Sequence, residues 1–290
     1  VLGTATNAGI YGLARPEIDS SLSLLRKILE GNEITGSINQ VEKQVGQKRW
    51  GNYCLGVLVA LQKRNLAPTH GFSLVLTTDL PISAGLSSSA ALELATAQCL
   101  LQLAKKKVKR KELVNICREA ENNWVGLPCG ILDQGTSAFG EADKIVQINC
   151  SDQAYSTFTL PSNTGFWVFD TGIKHDLIDS LYGIRNQECQ EALKLLKNSF
   201  SELNYLAHAE RGMIEKTELP ENLKKRSLHV IEEQDRVNKF ADGLKKRKQS
   251  LELGHFLTDS HRSSSLLFEN SLPELCLLYT SDAADELRSV

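Results

Sequence analysis

The sequence predicts an α+β protein in two lobes, a mixed N-terminal lobe over residues 1–164 and a mostly helical C-terminal lobe over 165–290. Three observations carry that reading. The first half interleaves alternating apolar runs with runs at helical spacing, whereas the chain beyond residue 176 carries long charged stretches of helical periodicity. With 41% hydrophobic and 23% charged residues, the 290-residue chain has the composition of a globular protein able to bury a real core.

The elements follow in order. "CLGVLVALQKRN" (54–65) repeats apolar residues every three to four positions and predicts a helix, while "GFSLVLTTDLP" (71–81) alternates and stops at Pro81, as a strand does. "SSAALELATAQCLLQLA" (88–104) predicts a helix with small residues on one face, and "KELVNICREAENNWV" (111–125) a second. The loop "GLPCG" leads into "ILDQGTSAFG"; "KIVQINC" (144–150) and "GFWVFDT" (165–171) read as strands. Amphipathic helices are expected over 176–198, roughly 200–215, 222–247 and 249–259.

Composition excludes several classes. Thirty-three basic against 35 acidic residues give a formal charge of −2, and no global field that would gather nucleic acid or an anionic membrane. The basic runs "KKKVKRK" (105–111) and "KKRK" (245–248) lie at helix ends beside acids and without interleaved aromatics, which reads as solvated helix termini. Seven scattered cysteines with no C-x-x-C pair and no metal-ligand rhythm point to reduced thiols in a cytoplasmic protein. No apolar stretch is long enough to span a membrane. The chain opens on Val1 rather than Met, which suggests an N-terminus lying further upstream.

The stretch "DLPISAGLSSSAALELATA" (79–97) places a proline, a glycine and three serines in a row between a strand and an alanine-rich helical run. A glycine-containing loop at a helix N-terminus lets backbone N–H groups converge on an anion. Gly85 permits the close approach, and Ser87, Ser88 and Ser89 add hydroxyls that can bond phosphate oxygens or ligate Mg²⁺. A serine-capped turn is the plainer alternative, although one cap serine would suffice for it. Neither a Walker sequence nor a G-x-G-x-x-G fingerprint occurs, and a serine nucleophile would lack the G-x-S-x-G elbow.

"PISAGLSSSAALELATA" resembles the signature loop of the galactokinase, homoserine kinase, mevalonate kinase and phosphomevalonate kinase (GHMP) superfamily, P-x-x-x-G-L-x-S-S-A. "GLPCGILDQGTSAFG" (126–140), "RWGNYCLGVL" (49–58), "IKHDLIDSLYGIRNQECQEAL" (173–193), "LHVIEEQDRV" (228–237), "SH" (260–261) and "PELC" (273–276) are similar to galactokinases in particular, in family order.

The resemblance implies the two-lobed GHMP kinase fold and transfer of the γ-phosphate of ATP to the C1 hydroxyl of galactose. It implies a nucleotide loop of Pro81, Ala84, Gly85, Leu86, Ser87, Ser88, Ser89 and Ala90. Asp133 in "CGILDQ" matches the family's catalytic aspartate, which accepts or orients the sugar hydroxyl's proton while positioning and charge neutralisation carry most of the rate. Read alone, an Asp in a loop is a turn former. Glu121 matches the acidic Mg²⁺ ligand, with Ser89 as partner and Ser88 next. Tyr182 corresponds to a tyrosine bordering the sugar, and Gly130 to a backbone amide facing it. His175 and His261 fall in family motifs without a clear chemical role.

The family's N-terminal arginine and its sugar-holding Glu-His-x-x-Asp group are absent from these 290 residues, as is the glycine-rich T-G-G-G-F-G-G stretch. Residues 277–290 resemble no part of the family. The chain as given is therefore expected to be inactive by itself. The partners expected are a small sugar and ATP, with neither nucleic acid nor membrane. A kinase for another sugar such as N-acetylgalactosamine, and a non-catalytic galactose- and ATP-sensing regulator, are the alternatives.

Overall fold

The computed structural model describes residues 1–26, 33–81, 85–162, 164–169, 176–248 and 250–272. The chain divides into two compact units, Val1–Thr157 and a second beginning at Phe158.

The N-terminal fifty residues, silent in the sequence, form β1 (Leu2–Gly3), β2 (Ile10–Pro16), β3 (Ser21–Arg26) and β4 (Ile34–Ser37). The expected strand is β5 (Phe72–Thr78), and it organises a sheet of order β2-β5-β3-β4. β2 runs antiparallel to β5, with Ile10 opposite Thr78 and Pro16 opposite Phe72. β3 runs parallel to β5 on its other side, with Leu24 opposite Leu74, and β4 is antiparallel to β3. Period-two alternation turns Phe72, Leu74 and Leu76 to one face, where they are buried with Leu22, Leu24 and Ile34.

Helices α1 (Gly51–Gln62), α2 (Ser88–Leu103) and α3 (Arg110–Glu119) share that core. α1 is apolar nearly all round and buries Leu55, Val57, Leu58 and Leu61, whereas α3 is amphipathic and buries only Leu113, Val114, Ile116 and Cys117. Each fully buried large side chain contributes about 1.5–3 kcal/mol of transfer free energy. A second sheet, β1-β6-β7, joins β6 (Lys144–Asn149) to β7 (Ala154–Thr159) and packs with helix α4 (Leu132–Phe139). Val114, Ile131, Val146 and Ile148 form its core, and Phe139 stacks on Tyr155 with ring centroids 3.8 Å apart.

In the second unit α5 (Asp176–Lys197), α7 (Glu221–Lys245) and α8 (Ser250–Ser263) follow the expected helices. Ala192, Leu196, Leu203, Leu206 and Leu223 form a core. Arg226 is buried beside it, its guanidinium donating to Glu188, Glu269 and the Leu267 carbonyl.

Two expectations fail. The helix expected over roughly 200–215 is a turn, a single 3-10 turn (Leu206–His208) and then α6 (Arg211–Lys216). Ser199, Ser201 and Asn204 compete for backbone hydrogen bonds there and disfavour continuous helix. The strand expected over 165–171 is irregular chain in its described part, 165–169, where Phe166, Trp167, Val168 and Phe169 are exposed. Apolar composition makes a strand only where a neighbour supplies the ladder, and no described strand pairs with this segment.

Candidate active site

β5 ends at Thr78, and the Asp79 carboxylate fixes the turn that follows by accepting the Gly9 N–H at 2.6 Å. α2 begins at Ser88, and two residues just before it take left-handed backbone conformations: Gly85 at φ +70 and Ser87 at φ +53. Glycine does this freely, whereas for serine it costs on the order of 1–2 kcal/mol. Such strain concentrates at ligand-holding turns, where alternating backbone hands aim successive N–H groups into one concavity.

Ser87 occupies the N-cap position, yet its hydroxyl makes no capping hydrogen bond, and the first turn of α2 contains no acidic residue. The serine-capped turn is therefore not what this loop forms. Its helix end carries a partial positive charge. Ser88 and Ser89 follow, half-buried; Leu86 is half-buried, Pro81 exposed, and Ala90 fully buried against the core. Ala84 lies outside the described residues.

A cleft of about 1,120 Å³ opens beside this loop. Gly85, Leu86 and Ser87 line it together with Asp133 and Thr136. Asp133 is not in a loop, as expected from sequence, but in the first turn of α4, where a carboxylate complements the helix dipole. The structure thus brings the loop and Asp133 to one cavity. Thr136, one turn further along α4, is nine-tenths buried and its hydroxyl has no partner.

Glu121 does not line that cleft. α3 loosens at Ala120 into a π-helical turn, Ala120–Val125, of the kind that recurs at functional sites. The turn carries Glu121 to 5% exposure. Its Oε2 accepts from Gln134 Nε2 at 2.6 Å and from Cys129 Sγ at 3.1 Å. The same Gln134 nitrogen donates to Glu93 Oε2 at 3.0 Å. Burial first, and then the neighbouring Glu121 carboxylate, push the Glu93 carboxyl up to about 9, so Glu93 is neutral at neutral pH. Burial likewise raises the Cys117 and Cys129 thiols, which stay protonated.

Ser89 and Glu93 stand four residues apart on α2 and so share one face of it, placing the Ser89 hydroxyl one turn from the Glu93–Gln134–Glu121 cluster. Two hard oxygen donors on neighbouring elements suit Mg²⁺ bound with phosphates, which asks for only one or two protein ligands. Among the described residues no three His, Cys, Asp or Glu side chains converge to enclose a metal. Gly130 sits in the loop before α4 with open space where a side chain would project. Tyr182 lies on α5 in the second unit, 47% exposed rather than a core aromatic. His261 lies on α8, and His175 falls outside the described residues.

Sequence reasoning missed Glu93, Gln134 and Thr136. Glu93 had a signal, a single charge between Leu92 and Leu94 in an otherwise uncharged helix.

Residues 52–141, which contain every polar group of this site from Ser87 to Thr136, match the family of GHMP kinases N terminal domains. A galactokinase of Roseiflexus sp. is 33% identical over 270 residues, covering 92% of this chain and 68% of that protein. The chain belongs to the galactokinase family of GHMP kinases. A galactokinase of Thermotoga neapolitana is 39% identical over 238 residues, 81% of this chain and 65% of that one, so the chain spans about two thirds of the length of these galactokinases. The crystal structure of Lactococcus lactis galactokinase complexed with galactose matches with a TM-score of 0.80 at 26% identity, over 92% of this chain and 70% of that one. Methanococcus jannaschii mevalonate kinase, at 16% identity and a TM-score of 0.53, shares the fold alone. No described helix is long and apolar enough to cross a membrane.

Proposed function

We propose that this chain serves transfer of the γ-phosphate of ATP to the C1 hydroxyl of galactose. The single observation that carries the reading is the common cleft of the left-handed serine loop and Asp133. The loop's N–H groups and the free Ser87 hydroxyl would hold the phosphates at the positive end of α2. Asp133 would orient the sugar hydroxyl or accept its proton, and Gly130 would border the sugar. Ser89, or Ser88, and Glu121 would hold Mg²⁺, which when bound neutralises phosphate charge. Galactose as acceptor is supported by the galactokinase relatives and by the galactose complex of the Lactococcus lactis protein. The free cysteines among the described residues support a cytoplasmic setting.

The test is phosphorus NMR of these residues carried within a galactokinase of full family length, with galactose and Mg-ATP; the 290-residue chain by itself is proposed to be inactive. Galactose 1-phosphate formed by the wild type and lost in Asp133→Asn supports the reading. Phosphorylation of N-acetylgalactosamine in place of galactose would change the sugar, and binding of ATP and galactose without turnover would favour a sensing regulator.

A further inference from the structure

We infer that Gln134 is a positioning residue for the nucleotide's cation: its carboxamide ties the Glu121 carboxylate, through Glu93, to α2, the helix that carries Ser89. The inference rests on the nucleotide reading above. Three elements meet at this one amide. α2 brings Glu93, the π-helical turn brings Glu121, and α4 brings Gln134. An amide nitrogen has two hydrogens, and Gln134 directs both at carboxyl oxygens, 3.0 Å to Glu93 and 2.6 Å to Glu121. Glu93 and Gln134 are fully buried, away from water that could otherwise satisfy them.

The cluster is poorly built as a stability device. Glu93 Oε1 and Gln134 Oε1 are both buried without a partner, in a protein interior where such groups are normally satisfied. What the geometry achieves is direction. Rotation of Glu121 about its side chain would break the 2.6 Å bond, and slippage of α4 against α2 would break the 3.0 Å bond. Asp133, the neighbouring residue, lines the cleft, so one short helix turn carries the cleft carboxylate and the clamp. Partners that orient a metal ligand are worth about 10–100-fold in metal affinity.

The experiment titrates the full chain with ATP, once with excess Mg²⁺ and once with EDTA, and reads the factor by which Mg²⁺ improves affinity. Wild type and Glu93→Gln, each measured alone, set the reference factors for the change at Gln134. Gln134→Met should lower that factor about tenfold, as Glu121→Gln does, and leave Mg²⁺-free affinity within about twofold. The same change is made in the Glu93→Gln background, where no carboxyl at position 93 is left without a donor. Parallel loss of both affinities, or an unchanged factor in the double variant, overturns the inference and leaves the nucleotide site standing. An unchanged factor in Glu121→Gln removes the metal ligand and the inference with it. Absence of ATP binding by the wild type would overturn the proposed function itself.

Discussion

Gln134 Nε2 donates to Glu93 Oε2 at 3.0 Å, and both side chains are fully buried where α4 meets α2. Glu93 titrates near 4.5 when exposed to water and near about 9 here, so between those values the native chain holds a proton that the unfolded chain has released. Stability from this group is complete below pH 4.5 and is lost as pH rises toward 9, at up to about 1.4 kcal/mol per pH unit. Glu93→Gln should remove that slope and be the more stable protein at pH 8. Thermal melts of both proteins from pH 5 to 9 check it, and parallel curves would sink the assignment.

His229 in the second unit has the opposite sign. Its Nδ1 lies 2.9 Å from Ser263 Oγ, and burial lowers the imidazole from 6.5 to about 4. Stability from a neutral buried His229 is complete above pH 6.5 and is lost as pH falls toward 4. Amide exchange in α7 should accelerate over that window in the wild type and not in His229→Gln. An acid response equal in the two would contradict the burial argument.

Asp133→Asn keeps the side chain's shape and loses its charge. In a galactokinase of full family length carrying these residues, galactose phosphorylation should fall by a factor on the order of 10² or more, while Mg-ATP affinity stays within about threefold. Near-normal turnover would leave Asp133 as the dipole partner of α4 and nothing more.

The parts of the fold legible in the sequence were those with long, self-consistent periodicity. α2 is an example, expected over 88–104 and found at Ser88–Leu103. β2, β3 and β4 were not legible, because strands of four to seven residues, two of them interrupted by Gly12 and Gly36, gain their stability from pairing, β2 and β3 with β5 and β4 with β3, rather than from local pattern. At the site, the serine loop was visible because three consecutive serines exceed what a helix cap needs. The left-handed turn at Ser87 was not, since nothing in residue type announces it. Asp133 was named from motif and placed wrongly in a loop. Gln134 was missed because an amide carries no signal until its two carboxyl partners, 41 and 13 residues away, are seen beside it.

The central claim, that the loop before α2 cradles a nucleoside triphosphate, is tested most directly at Gly85. At φ +70 a β-branched side chain is strained and would also stand where the phosphates must approach. Calorimetric titration of Mg-ATP into the wild-type chain and into Gly85→Val, with folding checked by circular dichroism, should show affinity weakened at least tenfold, about 1.4 kcal/mol. Equal affinity in a folded Gly85→Val protein would contradict the claim.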